Sequence, residues 1–96
     1  MRYLLHPAAE KDLSDAFSFY LEKAGRSVAL RFLDEFERAL GVLERHPRLG
    51  TPTRGRRVYP MRIFPYAIIY KEGEPGLLVL VVRHQRRRPN VLGSSR

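Results

Sequence analysis

The sequence predicts an α+β domain with the order β-α-α-β-β-β, a small antiparallel-rich sheet packed against an α-helical hairpin. Three observations carry that prediction. Apolar residues recur every three or four positions through two stretches between Pro7 and His46, the period falls to two after Arg56, and only two or three residues separate the helical stretches.

The first element is Arg2-Tyr3-Leu4-Leu5-His6, short, apolar and aromatic, and it reads as a strand. Pro7 stops it and also suits the first turn of a helix. In that helix Ala9, Leu13, Ala16, Phe17 and Tyr20 share one face, while Glu10, Asp12, Ser14, Asp15 and Ser18 fill the other. Ala24-Gly25 ends it, and Ser27 is positioned to cap the next helix. There Val28, Phe32, Phe36, Leu40 and Leu43 make a stripe flanked by Leu33 and Ala39, and His46-Pro47 closes the helix because a residue before proline avoids helical angles. So short a connection folds the two helices into an antiparallel hairpin.

Residues 47–56 contain two prolines and two glycines and read as a loop. Residues 57–63 follow as a strand that Pro60 confines to an edge or a bulge. After a break at Phe64-Pro65, Tyr66 to Lys71 form the next strand. Glu72-Gly73-Glu74-Pro75-Gly76 is a hairpin turn. Leu77 to Arg83, apolar on both faces, is read as the last and central strand.

At 96 residues the chain allows one domain, assigned to residues 1–92, with Gly93-Ser94-Ser95-Arg96 as a flexible tail. The hydrophobic fraction of 44% supports a modest core and argues against disorder. The absence of cysteine excludes disulfides, a thiolate zinc site and a thiol nucleophile. Neither a metal nor an organic cofactor is expected, since no His/Asp/Glu cluster has ligand spacing. The longest apolar run, Leu77 to Val82, falls far short of the ~18–20 residues of a membrane span, and Met1-Arg2-Tyr3 begins no signal peptide. A cytoplasmic protein without a membrane partner is the expectation.

The net charge is +8, from 18 Lys+Arg and 10 Asp+Glu. Residues 1–48 hold eight basic and eight acidic side chains, so the whole excess lies in residues 49–96, where only Glu72 and Glu74 are acidic. Fifteen of the 18 basic residues are arginine, which favours bidentate contacts to phosphate or carboxylate. Arg83, Arg86, Arg87 and Arg88 form the strongest local cluster and read as a contact surface for an anionic partner, the alternative being a solvated basic tail. Arg54, Arg56, Arg57 and Arg62 extend that surface if their strand neighbours the last one. His84 is either a binding or acid–base group or a strand-end residue bonded to a carbonyl. His6 and His46 read as boundary residues, Tyr66 and Tyr70 as core, and Glu10, Asp12 and Asp15 as a solvated face near a helix N-terminus.

Several motifs in fixed order are similar to those of the RelE/ParE superfamily of type II toxin–antitoxin toxins. They are Pro7-Ala8-Ala9-Glu10-Lys11-Asp12-Leu13, Tyr20, Arg31-Phe32-Leu33, His46-Pro47-Arg48-Leu49-Gly50, Phe64-Pro65-Tyr66-Ala67-Ile68-Ile69-Tyr70 and Val82-Arg83-His84-Gln85-Arg86-Arg87. The resemblance spans Tyr3 to about Leu92 and implies a small cytosolic toxin neutralised by a cognate antitoxin in a hetero-oligomer. RelE-type members are ribosome-dependent mRNA endonucleases, whereas ParE-type members poison DNA gyrase. Where RelE carries an arginine after the aromatic of the penultimate strand, a second arginine past the last strand and a tyrosine six residues on, this chain has Ala67, Arg86 and Leu92. The wording is closest to the ParE-like branch, which implies gyrase binding through Arg83, Arg86, Arg87, Arg88, Arg57 and Arg62. The alternatives are ribosome-dependent mRNA cleavage by Arg86, His84 and Arg62, and a non-toxic basic nucleic-acid-binding domain.

Overall fold

A computed structural model of the chain describes residues 2–73 and 76–85, Arg2 by its backbone alone. Arg86, Arg87, Arg88 and the tail assigned to residues 93–96 lie outside the described residues. The elements run β1 (Arg2–Leu5), α1 (Pro7–Ala24), α2 (Arg26–Arg45), β2 (Thr51–Thr53), β3 (Arg56–Pro60), β4 (Tyr66–Glu72) and β5 (Gly76–His84). They form two helices and one five-stranded mixed sheet of order β1-β5-β4-β3-β2. Only the β1–β5 pair is parallel, and the α+β class and helical hairpin stand as expected.

Pro7 does open α1, and His6 caps it, its Nδ1 accepting from the Ala8 N–H at 3.0 Å. A single residue, Gly25 at φ 97°, joins the helices. Ser27 does not cap α2, because the second helix starts at Arg26, too early for Ser27 to stand outside it. The stripe read from α2 is its buried face: Phe32, Phe36, Ala39, Leu40 and Leu43 are all at most 3% exposed. Together with Ala9 and Ala16 of α1 they meet Ile68, Tyr70, Leu77, Val79 and Val82 of the sheet. Each fully buried large side chain there contributes about 1.5–3 kcal/mol of burial. Aromatic edges close one end of this core, with Tyr20, Phe32, Phe64 and Tyr66 stacking at ring separations of 5.1–6.3 Å.

Four sequence readings of the sheet change. The stretch 47–56 is not all loop: Thr51–Thr53 pairs antiparallel with Arg56–Val58 as the edge strand β2. Pro52 sits in that edge strand, where a missing donor is tolerated. Pro60 does not mark an edge, because β3 lies between β4 and β2 and simply ends at Pro60. Residues 61–63 are not strand but join the expected break at Phe64-Pro65 in one tight connection, spanned by the Met61 N–H donating to the Tyr66 carbonyl at 2.8 Å. Finally, β5 is internal, as an all-apolar run requires, but the middle position belongs to β4.

Two side chains pin the loop before β2. Tyr70, fully buried, donates through its hydroxyl to the Pro47 carbonyl at 2.7 Å and accepts from the Gly50 N–H at 3.0 Å. Arg57 Nη1 donates to the carbonyls of Gly50 at 2.9 Å and Arg48 at 3.2 Å. Gly50 leaves no room for more: a Cβ there would stand 2.7 Å from the Tyr70 hydroxyl and 3.0 Å from the Arg57 Cβ.

Candidate functional site

Strand alternation gives the sheet two faces. On β4, Tyr66, Ile68 and Tyr70 point to the helices, so Ala67, Ile69 and Lys71 occupy the helix-free face. Cross-strand pairing sets Pro60 and Arg83 on either side of Ala67, and Val58 and Val81 on either side of Ile69. Ala67 and Ile69 remain only 5% and 3% exposed there.

Arg83 owes its place on this face to a β-bulge. Ile69 pairs with Val81 but Tyr70 pairs with Val79, so Leu80 is an extra residue in β5. Before it Leu77 and Val79 face the core, and after it Val82 does. Strict alternation from Leu77 would have turned Arg83 into the helices. The extra residue reverses the parity and re-aims Arg83 outward and His84 inward.

Arg83 thereby joins Arg54 and Arg56 across β4. These three arginines with Thr53, Val58 and Ile69 line a cavity of about 330 Å³. Arg54 and Arg56 reach it from the β2–β3 hairpin, so the basic surface extends across the sheet although β3 does not neighbour β5. Between the two groups of arginines, β4 contributes only the buried Ala67 and Ile69 to this face. Among the described residues no acidic side chain lines this cavity. Three arginines give it a positive potential above the apolar Val58 and Ile69.

The remaining site residues lie elsewhere. Arg57 is on the opposite face, beside Tyr70, bonded to the Arg48 and Gly50 carbonyls, with Nε 3.8 Å from Glu72 Oε1. Arg62 is exposed in the 61–65 connection. His84 packs its ring against Tyr66, centroids 5.0 Å apart, on the helix side. There it borders a second cavity, about 380 Å³, with Asp12, Asp15, Ala16, Phe19, Tyr66 and Val82. The structure therefore brings Arg83 to Arg54 and Arg56, and separates it from His84 by the thickness of the sheet. Arg86, Arg87 and Arg88 fall outside the described residues.

Asp12 departs from the solvated-face reading. Its Oδ2 accepts from the backbone N–H of Val82 at 3.0 Å. β1 ends opposite Val79, so β5 runs on to His84 with no strand beside it on that side among the described residues. Asp12 supplies the acceptor a neighbouring strand would have given. A signal for this was present in the lengths: a first strand of five residues cannot cover a last strand of seven or more. Asp15 pairs with Lys11 at 2.9 Å, which holds the Lys11 ammonium above its usual pKa through that hydrogen bond and charge.

Among the described residues no group of three or more His, Cys, Asp or Glu is placed to hold a metal ion. No helix there is long and apolar enough to cross a membrane.

Comparison with known proteins fits this arrangement. The family model for the ParE toxin of type II toxin–antitoxin systems, parDE, matches residues 3–89. Among solved structures, a chain of the chromosomal ParDE TA system from P. aeruginosa is similar in fold, with a TM-score of 0.76 and 17% identity. That match covers 88% of this chain and 95% of the other. No curated protein matches the sequence.

Proposed function

Since the chain belongs to the ParE toxin family of type II toxin–antitoxin systems, we propose that this toxin arrests bacterial growth by docking on DNA gyrase, and that a cognate antitoxin neutralises it in a hetero-oligomeric complex. The observation that carries the reading is the composition of the helix-free face. It offers three arginines over an apolar floor, with Ala67 directly opposite Arg83. Guanidinium groups alone bind and orient anions. Phosphodiester cleavage also asks for a proton acceptor and donor beside the 2′-hydroxyl and the leaving oxygen. His84 is turned to the other side of the sheet, against Tyr66, which counts against its sharing a reaction centre with Arg83. A docking surface is the simpler use of this geometry.

Arg83 is the contact residue we place at the centre of the target surface, with Arg62 exposed at the adjoining sheet end and Arg86, Arg87 and Arg88 following Arg83 in sequence. Arg57 serves the surface indirectly, by holding the loop before β2. A cytoplasmic site of action follows from a gyrase target.

Induced expression in a bacterial host tests this reading. Growth arrest accompanied by chromosome breakage and a DNA-damage response, relieved by the antitoxin, is the expected result. Arrest with intact chromosomes and codon-positioned cuts in translated mRNA would replace it with the endonuclease reading.

A further inference from the structure

The far half of β5 is fastened on both sides, by different means. Toward β4 the ladder sets Ala67 opposite Arg83 and Tyr66 opposite His84, and past the strand the Gln85 N–H donates to the Pro65 carbonyl at 2.8 Å. On the other side β1 has already ended. Its last paired residue, Leu5, stands opposite Val79, and the His6 N–H donates to the Val79 carbonyl at 2.9 Å. Beyond that point Asp12 of α1 reaches the strand, its Oδ2 accepting from the Val82 N–H at 3.0 Å in a partly buried bond between residues 70 apart in sequence. The bond lands between the Leu80 bulge and Arg83, on the stretch where side-chain parity has just been reversed. Asp15, which lines the same cavity as Asp12, is paired with Lys11 instead.

We propose that Asp12 is a positioning residue for Arg83, an inference that rests on the reading of Arg83 as a target contact. By holding the Val82 N–H, Asp12 keeps the end of β5 in the twist that sends the Arg83 side chain out over the helix-free face. A bulge disrupts the ladder where it occurs and twists its strand more strongly, so a residue just past it keeps a fixed direction only if the backbone is held again. Without Asp12 the Val82 N–H would turn to water, which fixes no direction. A carboxylate accepting from a backbone N–H makes a charge-assisted bond, stronger than the amide–carbonyl bond that a longer β1 would have supplied. Arginine is long, so a small change in backbone direction at residue 83 becomes a large one at its guanidinium. A side chain already aimed at its target also loses less freedom on binding. Asp12 belongs to a helix on the opposite side of the sheet from the Arg83 side chain, so it acts through the strand and not by touching the target.

The test is a double-mutant cycle on supercoiling by purified gyrase, at a temperature where melting curves show every chain folded. Asp12→Ala should weaken the toxin about threefold or more, the worth of one hydrogen bond. Added to Arg83→Gln, the same change should weaken it by less than about 1.5-fold further, because the side chain it positions is already gone. Asp12→Asn keeps an acceptor for the Val82 N–H and should recover the parent's potency to within about twofold. Glu37→Gly, at an exposed position inside α2, removes the same charge and weakens the fold through helix propensity, so it should lower the thermal midpoint and leave potency unchanged. Parental potency in Asp12→Ala, or losses that multiply in the double variant, would overturn the proposal and leave the gyrase reading standing. A parent chain without effect on supercoiling would overturn the gyrase reading instead, and the same cycle read on growth arrest after induced expression would then decide the role of Asp12.

Discussion

At the scale of single residues, Tyr70 and Gly50 fix how the loop before β2 meets the sheet. The Tyr70 hydroxyl bridges the Pro47 carbonyl and the Gly50 N–H inside the protein. Tyr70→Phe strands both groups, and denaturant titration should register a loss of about 1–3 kcal/mol. Gly50→Ala should cost about 1–3 kcal/mol for a different reason, since the added Cβ meets buried atoms of Tyr70 that cannot move away. Burial also pushes the Tyr70 pKa above the ordinary tyrosine value of 10.0, against the opposing effects of the Gly50 hydrogen bond and the Arg57 charge. Below about pH 10 both folded and unfolded chains keep that proton, and the contribution is whole. Above it the unfolded chain releases the proton while the folded chain holds it, so stability falls as pH rises through the folded value. Melting curves between pH 9 and 11.5 should therefore drop less steeply in Tyr70→Phe than in the parent. The sequence showed that Tyr70 is core, because an aromatic in an apolar strand rarely faces water. It did not show the clasp, because Pro47 and Gly50 lie more than 19 residues away and carry no side chain to betray the contact.

At the scale of elements, β5 is the part of the fold on which the candidate site depends. Its first half is covered by β1 and its second by Asp12 of α1. Asp12→Ala should leave the Val82 N–H unpaired and cost about 1–3 kcal/mol by urea denaturation, whereas Asp12→Asn, which keeps an acceptor, should cost less. The bulge at Leu80 has the larger consequence. Deleting Leu80 restores strict alternation, turns Arg83 toward the helices and His84 outward, and should abolish cooperative thermal unfolding because a charge would then be buried without a partner. The helices were legible from the chain, since each carries an uninterrupted stripe from Ala9 to Tyr20 and from Val28 to Leu43. The sheet was only partly so. A strand that is apolar on both faces hides its own parity, so nothing in Leu77 to Val82 announces an extra residue. The three-residue β2, with exposed Thr51, Pro52 and Thr53, has no apolar periodicity to reveal it and is recognised only by its pairing with β3.

Across the whole molecule, the charge count and the fold explain one another. A chain with +8 concentrated in residues 49–96 folds so that the helical half, electrically balanced, covers one face of the sheet, and the arginine-rich half presents the other. Family membership supplies a toxin, and the arginine face is the surface on which the docking we propose rests. Such attachment should weaken steeply with salt, since exposed charges separated by more than about 8–10 Å are screened at 0.1–0.15 M ionic strength. The arginine character of the second half was plain in the sequence. That Arg54, Arg56 and Arg83 share one cavity while Arg57 turns away was not, because it needs the register of three strands. The measurement that bears most directly on the whole account is DNA supercoiling by purified gyrase with the toxin added, alongside its Arg83→Gln variant. We predict loss of supercoiling with accumulation of cleaved DNA at micromolar toxin, and at least a fivefold weaker effect of the variant, roughly the worth of one contact to a charged group. Undiminished supercoiling at that concentration would contradict the account.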